Sequence, residues 1–250
     1  MLTKDQAICI RAIDYSETSQ IVTFFARISG KVGAIAKGSK RAKSSFDGPI
    51  EVLSCGEIVF AETSHEQLAT LTEYQQKPMS GGVRKNLLAL HSGLFAAELL
   101  NKLTHDYDPH EVLFDQFAQF LDDLDGQVTN AARYDILTRL ILFQLALLRE
   151  VGLRPVLNTC ANCRRSFSKD WGECYFSSQA NGLTCRDCEI HFPDRVRISV
   201  TAADCLANVR QVAQVQERTL DEIEGVLVRH FTETLGYPPK MAKHILKRPR

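Results

Sequence analysis

Four cysteines, arranged as two Cys-x-x-Cys pairs, restrict the possible folds of this chain more than any other feature. Cys160 and Cys163 form the first pair, and Cys185 and Cys188 form the second after a gap of 21 residues. A two-residue gap lets both thiolates of a pair reach one tetrahedral ion at about 2.3 Å. Four thiolates suit zinc or an iron–sulfur centre better than hard cations. The spacing therefore predicts a structural zinc site, closed by a hairpin with its turn at Asn181-Gly182.

Other interpretations of the cysteines stay open at this point. A redox-active Cys-x-x-Cys usually follows a strand in a βαβ unit, which the sequence around these residues does not suggest. Cys174 and His191 are alternative ligands, because His191 lies three residues beyond Cys188. Four protein ligands leave no open coordination position, so we expect the metal to be structural. The other three cysteines are expected to be small buried side chains: Cys9, Cys55 and Cys205.

The first part of the chain, to about residue 75, reads as short strands with no long helix. Runs of β-branched and aromatic residues are punctuated by Gly30 and Gly33. Five short strands predict a small closed barrel or sandwich, and the OB-fold is the five-stranded barrel that fits best. The predicted strands cover residues 7–13, 21–28, 32–36, 49–53 with 57–60, and 67–74.

The composition changes at residues 78–82, Pro-Met-Ser-Gly-Gly, where we place a domain boundary. Leucine and phenylalanine then recur at helical spacing. Three helices are predicted, from about residue 87 to 102, from Pro109 to about 125, and from about 129 to 149 with an end near Gly152. A polar helix from about residue 202 to 235 follows the cysteine segment. The fold class predicted is therefore α+β with several domains.

The cellular compartment is predicted from two observations. The N-terminal residues 1–6 show no apolar signal core behind a basic start, so no secretory signal is expected. The most apolar stretch, residues 137–148, spans 12 residues and contains Thr138, Arg139 and Gln144. It is too short and too polar to cross a bilayer. We therefore expect a cytoplasmic protein with reduced cysteines and no membrane partner.

Charge is segregated along the chain although the formal net charge is zero. Residues 44–130 carry 14 acidic and four basic residues, and residues 234–250 carry five basic residues and no acid. A neutral total can therefore hide one basic face and one acidic face. Another stretch, residues 18–46, has no acid and six basic residues: Arg27, Lys31, Lys37, Lys40, Arg41 and Lys43.

The segment from Gly33 to Lys40 resembles a phosphate-binding P-loop but has the wrong order, because that motif needs Lys before Ser or Thr and a helix behind it. A positive loop that follows a nucleic-acid backbone is one interpretation of residues 37–45. An ordinary solvated charge run is the other. Base stacking would need aromatic residues on the barrel, and the candidates are Phe24, Phe25 and Phe46, each of which also fits a core position.

No catalytic constellation is evident in the sequence. The seven histidines form no metal-site spacing, and no Gly-x-Ser-x-Gly elbow exists. A non-enzymatic protein is therefore the favoured class. Three functional hypotheses remain. The first is a DNA-binding protein that uses the basic loop, and the second is a zinc-stabilised protein-interaction adaptor without intrinsic DNA binding. A metal- or redox-dependent enzyme is the third.

Taken in order, these parts resemble the RecO family of bacterial recombinational repair proteins. The resemblance covers nearly the whole chain and depends on the order and spacing of several short segments. These are Asp14–Glu17, Gly30–Gly33, Ala36–Arg41, Ala97–Leu100, Leu113-Phe114, Glu150–Pro155 and Gly182–Cys185.

The resemblance implies an OB-fold at residues 1–78, an α-helical domain at 79–157 and 196–250, and a zinc module inserted at 158–195. It also implies a nucleoid-associated recombination mediator that binds single- and double-stranded DNA and anneals complementary strands. The implied protein partners are RecR and the C-terminal tail of single-stranded-DNA-binding protein, and the implied outcome is loading of the recombinase RecA. Some family members lack the cysteines, which implies that zinc supports the fold. The basic residues of 18–46 would then form the DNA-contacting edge of the barrel.

Overall fold

A computed structural model describes residues 2–41, 44–46, 48–61, 68–79, 81–126 and 132–246. The chain forms two compact units, Met1–Asn130 and Ala131–Arg250. Within the described ranges, we find no helix with the length and apolar character needed to span a membrane.

The first unit begins with a closed five-stranded barrel. Its strands are β1 (Leu2–Asp14), β2 (Gln20–Ala26), β3 (Gly30–Ala36), β4 (Cys55–Ala61) and β5 (Ala69–Lys77). Their order around the barrel is β1-β2-β3-β5-β4, and β4 pairs back onto β1. The β3–β5 pair is parallel, whereas the other neighbouring pairs are antiparallel. This five-stranded arrangement confirms the predicted OB-like barrel. Residues 49–53, predicted to extend a strand, lie outside β4.

The barrel interior is filled by aromatic side chains from three strands. Phe24, Phe60 and Tyr74 are fully buried. The rings of Phe24 and Tyr74 meet edge to face with centroids 5.0 Å apart, an arrangement that suits the opposite charges of ring edge and ring face. The Tyr74 hydroxyl donates to the Ser54 carbonyl at 2.8 Å, so its polar end is satisfied inside the core.

The described part of the first unit also contains three helices, and the barrel holds the end of the second one. They are α1 (Gly81–Lys85), α2 (Leu87–Leu103) and α3 (Glu111–Gly126). Asn86 caps the start of α2 by accepting from the N–H groups of Leu88 and Ala89. At its other end, Lys31 Nζ donates to the carbonyl oxygens of Asn101 and Thr104 at 3.1 and 2.6 Å. A cation there satisfies carbonyls that have no partner within the helix.

The turn before Lys31 depends on a glycine. Gly30 has φ +69°, and a Cβ built on it would lie 2.2 Å from the Asp108 carbonyl oxygen. Tyr107 N–H donates to the Lys31 carbonyl at 3.0 Å, so the loop after α2 lies directly against this turn. Both the backbone conformation and the close approach therefore require glycine.

We expect Gly30→Ala to destabilise the first unit by about 3 kcal/mol or more, because it combines left-handed strain with a backbone clash. Gly38→Ala is the matched control: its φ is +77°, but the nearest atom to the added Cβ is the Arg41 side chain at 3.5 Å. That control carries only the conformational strain, about 1 kcal/mol. Urea unfolding followed by circular dichroism measures both changes. Equal losses of stability would contradict the proposed clash.

The second unit contains four helices and a small sheet within its described residues. The helices are α4 (Arg133–Glu150), α5 (Val200–Ala207), α6 (Glu217–Leu235) and α7 (Ala242–Ile245), and the strands are β6 (Cys174–Ser177), β7 (Gly182–Cys185) and β8 (Val196–Ile198). The sheet order is β7-β6-β8. The sequence predicted α2, α3 and α4; residues 129–131 of the last prediction lie outside the described ranges.

The prediction of one continuous helix over residues 202–235 is wrong. A 3₁₀ helix, Val209–Gln214, separates α5 from α6. The Asn208 side chain accepts from the Arg210 N–H, a local bond that competes with a continuous helix and begins a new element. This break places residues 207–210 at the surface of the unit, next to the end of α4.

Candidate nucleic-acid interface and metal centre

The four paired cysteines come together in the second unit. The Sγ atoms of Cys160, Cys163, Cys185 and Cys188 all lie within 4.8 Å of one another; we call these four residues the cysteine cluster. Cys163 Sγ and Cys185 Sγ are 3.8 Å apart. Four sulfurs placed tetrahedrally at about 2.3 Å from one ion would be separated by about 3.8 Å. The arrangement therefore fits a single tetrahedral metal ion with soft ligands.

Backbone hydrogen bonds hold the two Cys-x-x-Cys turns beside each other. Ala161 N–H donates to the Leu183 carbonyl at 2.7 Å, which joins the first turn to β7. Within the second turn, Cys188 N–H donates to the Cys185 carbonyl at 3.0 Å. The cluster is thus formed by a turn, Cys160–Cys163, and by the end of a hairpin strand. The hairpin prediction is confirmed, and Asn181 adopts φ +51° in the connection.

The thiols of the cluster differ in their affinity for protons. Burial raises the pKa of Cys160, but N–H groups of Cys163, Cys185 and Asn162 more than offset this and lower the pKa to about 7. Burial raises the pKa of Cys185 to about 12. Four thiolates within 4.8 Å of one another repel one another. A divalent cation would neutralise that repulsion, which is the chemistry that this donor set is suited to bind.

The two alternative ligands lie outside the cluster. Cys174 is buried and stands opposite Cys185 in the β6–β7 register. His191 lies in a 3₁₀ helix, Glu189–His191, and is exposed. Among the described residues, the side chains close enough to Cys185 to bind the same metal ion are those of Cys160, Cys163 and Cys188.

Two of the six predicted DNA-contacting residues, Arg27 and Lys31, are engaged in contacts within the first unit. Arg27 donates to both carboxylate oxygens of Asp115 at 2.9 and 3.0 Å and pairs with Glu111 at 3.0 Å. Its guanidinium holds the pKa of Asp115 below the ordinary value through this hydrogen bond. Lys31, whose side chain is only 13% exposed, pairs with Asp106 and holds the end of α2. These two cations therefore have structural partners.

The other predicted residues follow β3. Lys40 Nζ pairs with Asp14 at 2.8 Å, whereas Lys37 and Arg41 are exposed and form no ion pair with the described part of the chain. Lys43 lies outside the described residues. Residues 37–41 form turns, and the described residues between Gly38 and β4 contain no helix that could receive a phosphate in the manner of a P-loop. The available positive charge at this edge, among the described residues, is that of Lys37 and Arg41.

The three aromatic residues considered for base stacking are in the interior. Phe24 and Phe25 are fully buried, and Phe46 is 3% exposed. They are core residues, and stacking on them is excluded by their burial. Tyr15, which the sequence analysis considered only as part of the segment Asp14–Glu17, is 64% exposed in the β1–β2 turn. The signal that could have found it is an aromatic residue inside a polar turn between two strands.

A groove in the second unit combines an apolar floor with basic side chains. It has a volume of about 270 Å³ and lies between the end of α4, residues 154–157 and residues 206–210; we call it the arginine groove. Leu142 and Val209 are 38% and 46% exposed in it, which is high for large apolar side chains. Three arginines line it: Arg149, Arg154 and Arg210.

These features define a class: an α+β protein with an OB-like barrel, followed by helices and a four-thiol cluster suited to one metal ion. Comparison with known proteins refines it. The protein-family model described as Recombination protein O N terminal matches residues 1–77. The family model described as Recombination protein O C terminal matches residues 84–243.

Individual relatives agree with these matches. The DNA repair protein RecO of Rhodopirellula baltica is 31% identical over 236 residues, covering 94% of this chain and 82% of the relative. The DNA repair protein RecO of Bacillus subtilis is 29% identical over 243 residues, covering 94% of this chain and 91% of the relative. The chain belongs to the RecO family of DNA repair proteins.

We expect Cys160→Ser to reduce the metal content of the purified protein from about one ion per chain to nearly none, because three thiolates bind far less tightly than four. Cys174→Ser is the matched control and should keep its metal, since Cys174 lies outside the cluster. Elemental analysis by mass spectrometry measures both. Full metal occupancy in Cys160→Ser would contradict the assigned ligand set.

Proposed function

We propose that this chain is a recombination mediator that binds DNA through the open end of its barrel and anneals complementary strands. It acts at the nucleoid in the cytoplasm, with RecR, to load the recombinase RecA onto single strands coated with single-stranded-DNA-binding protein. The observation that carries the proposal is the pair of exposed cations, Lys37 and Arg41, directly after β3 of an OB-like barrel. The proposal contains no catalytic step.

The supporting physical argument is electrostatic. Two single strands repel each other through their phosphates, and a protein that places cations beside both of them lowers the cost of bringing them together. Lys37 and Arg41 have no internal ion pair to break among the described residues, so both can meet phosphates at no structural cost. Arg27 and Lys31 would have to give up Asp115 and the end of α2. The DNA contacts proposed here therefore rest on Lys37, Arg41 and, by exchange of Asp14 for phosphate, Lys40.

We also propose that the ion in the cysteine cluster is zinc and that its role is structural. The ion would be held by Cys160, Cys163, Cys185 and Cys188, and it would neutralise the negative charge of the four thiolates. Their closed set of four ligands leaves no position for a substrate. The backbone bond from Ala161 to Leu183 joins the first turn to β7, the strand that ends at Cys185, so metal and hydrogen bonds would stabilise one local arrangement.

Charge reversal at the barrel edge tests the DNA contacts. We expect Lys37→Glu/Arg41→Glu to weaken binding of a labelled single-stranded oligonucleotide at least tenfold and to reduce the slope of log affinity against log salt by about two. Fluorescence anisotropy at several salt concentrations measures both quantities. Strand annealing, with and without single-stranded-DNA-binding protein, should be slowed in the same variant.

The matched control for this experiment is Lys77→Glu/Lys85→Glu, which makes the same change in charge. Lys77 pairs with Cys55, and Cys55 pairs with Ile8, which precedes the end of β1 by six residues, so Lys77 lies outside the row of Asp14, Gln20 and Ala36. We expect the control to keep its affinity and its salt slope. Equal losses in both variants would mean that only net charge matters, and unchanged binding in Lys37→Glu/Arg41→Glu would remove the role proposed for this edge.

A second activity, partner binding, is favoured by the arginine groove. We propose that the groove receives the C-terminal tail of single-stranded-DNA-binding protein as an acidic peptide with apolar side chains. Charge complementarity supports this occupant: Leu142 and Val209 offer an apolar floor, while Arg154 and Arg210 form no ion pair with the described part of the chain. Arg149 is partly neutralised by Glu150 at 2.9 Å.

We expect Arg154→Glu/Arg210→Glu to weaken binding of a fluorescent peptide copy of that tail more than tenfold, because attraction is replaced by repulsion beside an apolar floor. Arg229→Glu, an exposed change on α6 outside the groove, is the control and should bind normally. DNA affinity of both variants is measured in parallel. Normal peptide binding by the groove variant would place the tail elsewhere.

A further inference from the structure

The pairing register places two turns of the barrel side by side. Asp14 pairs with Gln20, and Gln20 pairs with Ala36, so these three residues form one row across β1, β2 and β3. Neighbouring strands are about 4.8 Å apart, so the outer two strands of this row are separated by about 10 Å. Tyr15 directly follows the first member of the row, and Lys37 directly follows the last. An exposed aromatic ring and an exposed cation thus leave the sheet at the same end.

Hydrogen bonds fix the two turns to each other. Lys40 N–H donates to the Thr18 carbonyl at 3.1 Å, and Gly38 N–H donates to Ser19 Oγ at 3.2 Å. Lys40 Nζ adds its ion pair with Asp14. The β1–β2 turn and residues 37–41 are therefore one connected surface, whose members keep a defined spacing.

Within the described residues, no contact of the Tyr15 side chain explains its exposure. Its ring is 64% exposed, and its side chain makes no hydrogen bond or ring contact with the described part of the chain. Its backbone N–H donates to the Ser19 carbonyl at 2.9 Å. An exposed aromatic ring next to cations is the combination that single-strand-binding barrels use, in which bases stack on the ring and phosphates meet the cations. The β1–β2 loop is also one of the two loops with which OB-folds bind oligonucleotides.

We propose that Tyr15 is a base-stacking residue and that it makes this edge prefer unpaired over paired DNA. The inference rests on the proposed DNA-binding function and adds to it a specificity-determining residue. Stacking needs a base whose face is free, which a duplex does not offer within its helix. Phosphate contacts at Lys37 and Arg41 are available to both forms. Glu17, on the same turn, carries a negative charge, so the attraction of this turn for DNA comes from the ring and not from its own charge.

The experiment compares full-length Tyr15→Ala with the wild type on an oligothymidylate and on a duplex of equal length. We expect the variant to lose about tenfold in affinity for the single strand, to keep its affinity for the duplex, and to keep its salt slope, because no phosphate contact is removed. Tyr15→Phe should bind like the wild type. Ile28→Ala, a change of a 62% exposed side chain at the other end of β2, is the control and should leave both affinities unchanged.

A spectroscopic readout separates stacking from mere proximity. Tyr15→Trp adds a second tryptophan to a chain whose only other one, Trp171, is 8% exposed. We expect the oligothymidylate to quench the added fluorescence, and we expect little change in the wild type. Equal losses on both DNA forms in Tyr15→Ala, no loss on either, or no quenching at position 15 would overturn the inference while leaving the proposed DNA binding intact. A wild type without affinity for any DNA would overturn the proposed function itself.

Discussion

The double pairing of β1 is the constraint on which the rest of the first unit depends. Residues Leu2–Ile8 pair with β4 and residues Ala7–Asp14 pair with β2, so one strand of 13 residues closes the barrel and extends beyond the closure. A bulge between Cys9 and Arg11 lets the strand bend between its two partners. Because the register continues to Asp14, the end of β1 arrives beside the end of β3. The surface formed by Tyr15 and Lys37 follows from that register.

The cations of this unit divide into those that hold the fold and those that remain available. Lys31 lies at the end of α2 and donates to two carbonyls that the helix cannot satisfy, and Arg27 forms a two-pronged contact with Asp115. A cation with such partners would have to break them before it could bind a phosphate. Lys37 and Arg41 form no ion pair with the described residues, so they face no such cost there. A basic stretch therefore does not act as a uniform patch, and its contribution to DNA affinity depends on which members are already paired.

The sequence predicts local features well and distant partners poorly. Strand runs, helical spacing and the four paired cysteines are local patterns, and they led to the OB-like barrel, the helices and the cluster. The partner of Arg27 lies 88 residues away and that of Lys31 lies 73 residues away, so counting charges could not separate them from Lys37. Burial of Phe24 is likewise set by strands that are distant in sequence. The break at Asn208 was missed because one side-chain hydrogen bond outweighed a continuous polar helical pattern.

The cysteine cluster and the barrel edge illustrate two kinds of specificity in one sequence. A tetrahedral metal ion tolerates few distances and few ligand types. Its ligands therefore follow a strict spacing along the sequence, which is easy to recognise. A DNA backbone presents repeating phosphates and bases with interchangeable faces, so an edge that binds it needs only a cation and a ring at the right separation. Such an edge leaves little trace in the sequence because Tyr15 and Lys37 become neighbours only through the pairing of three strands. The metal site is therefore easy to recognise in the sequence. The barrel edge with Tyr15 and Lys37 is harder to recognise, and it is the better candidate for the function.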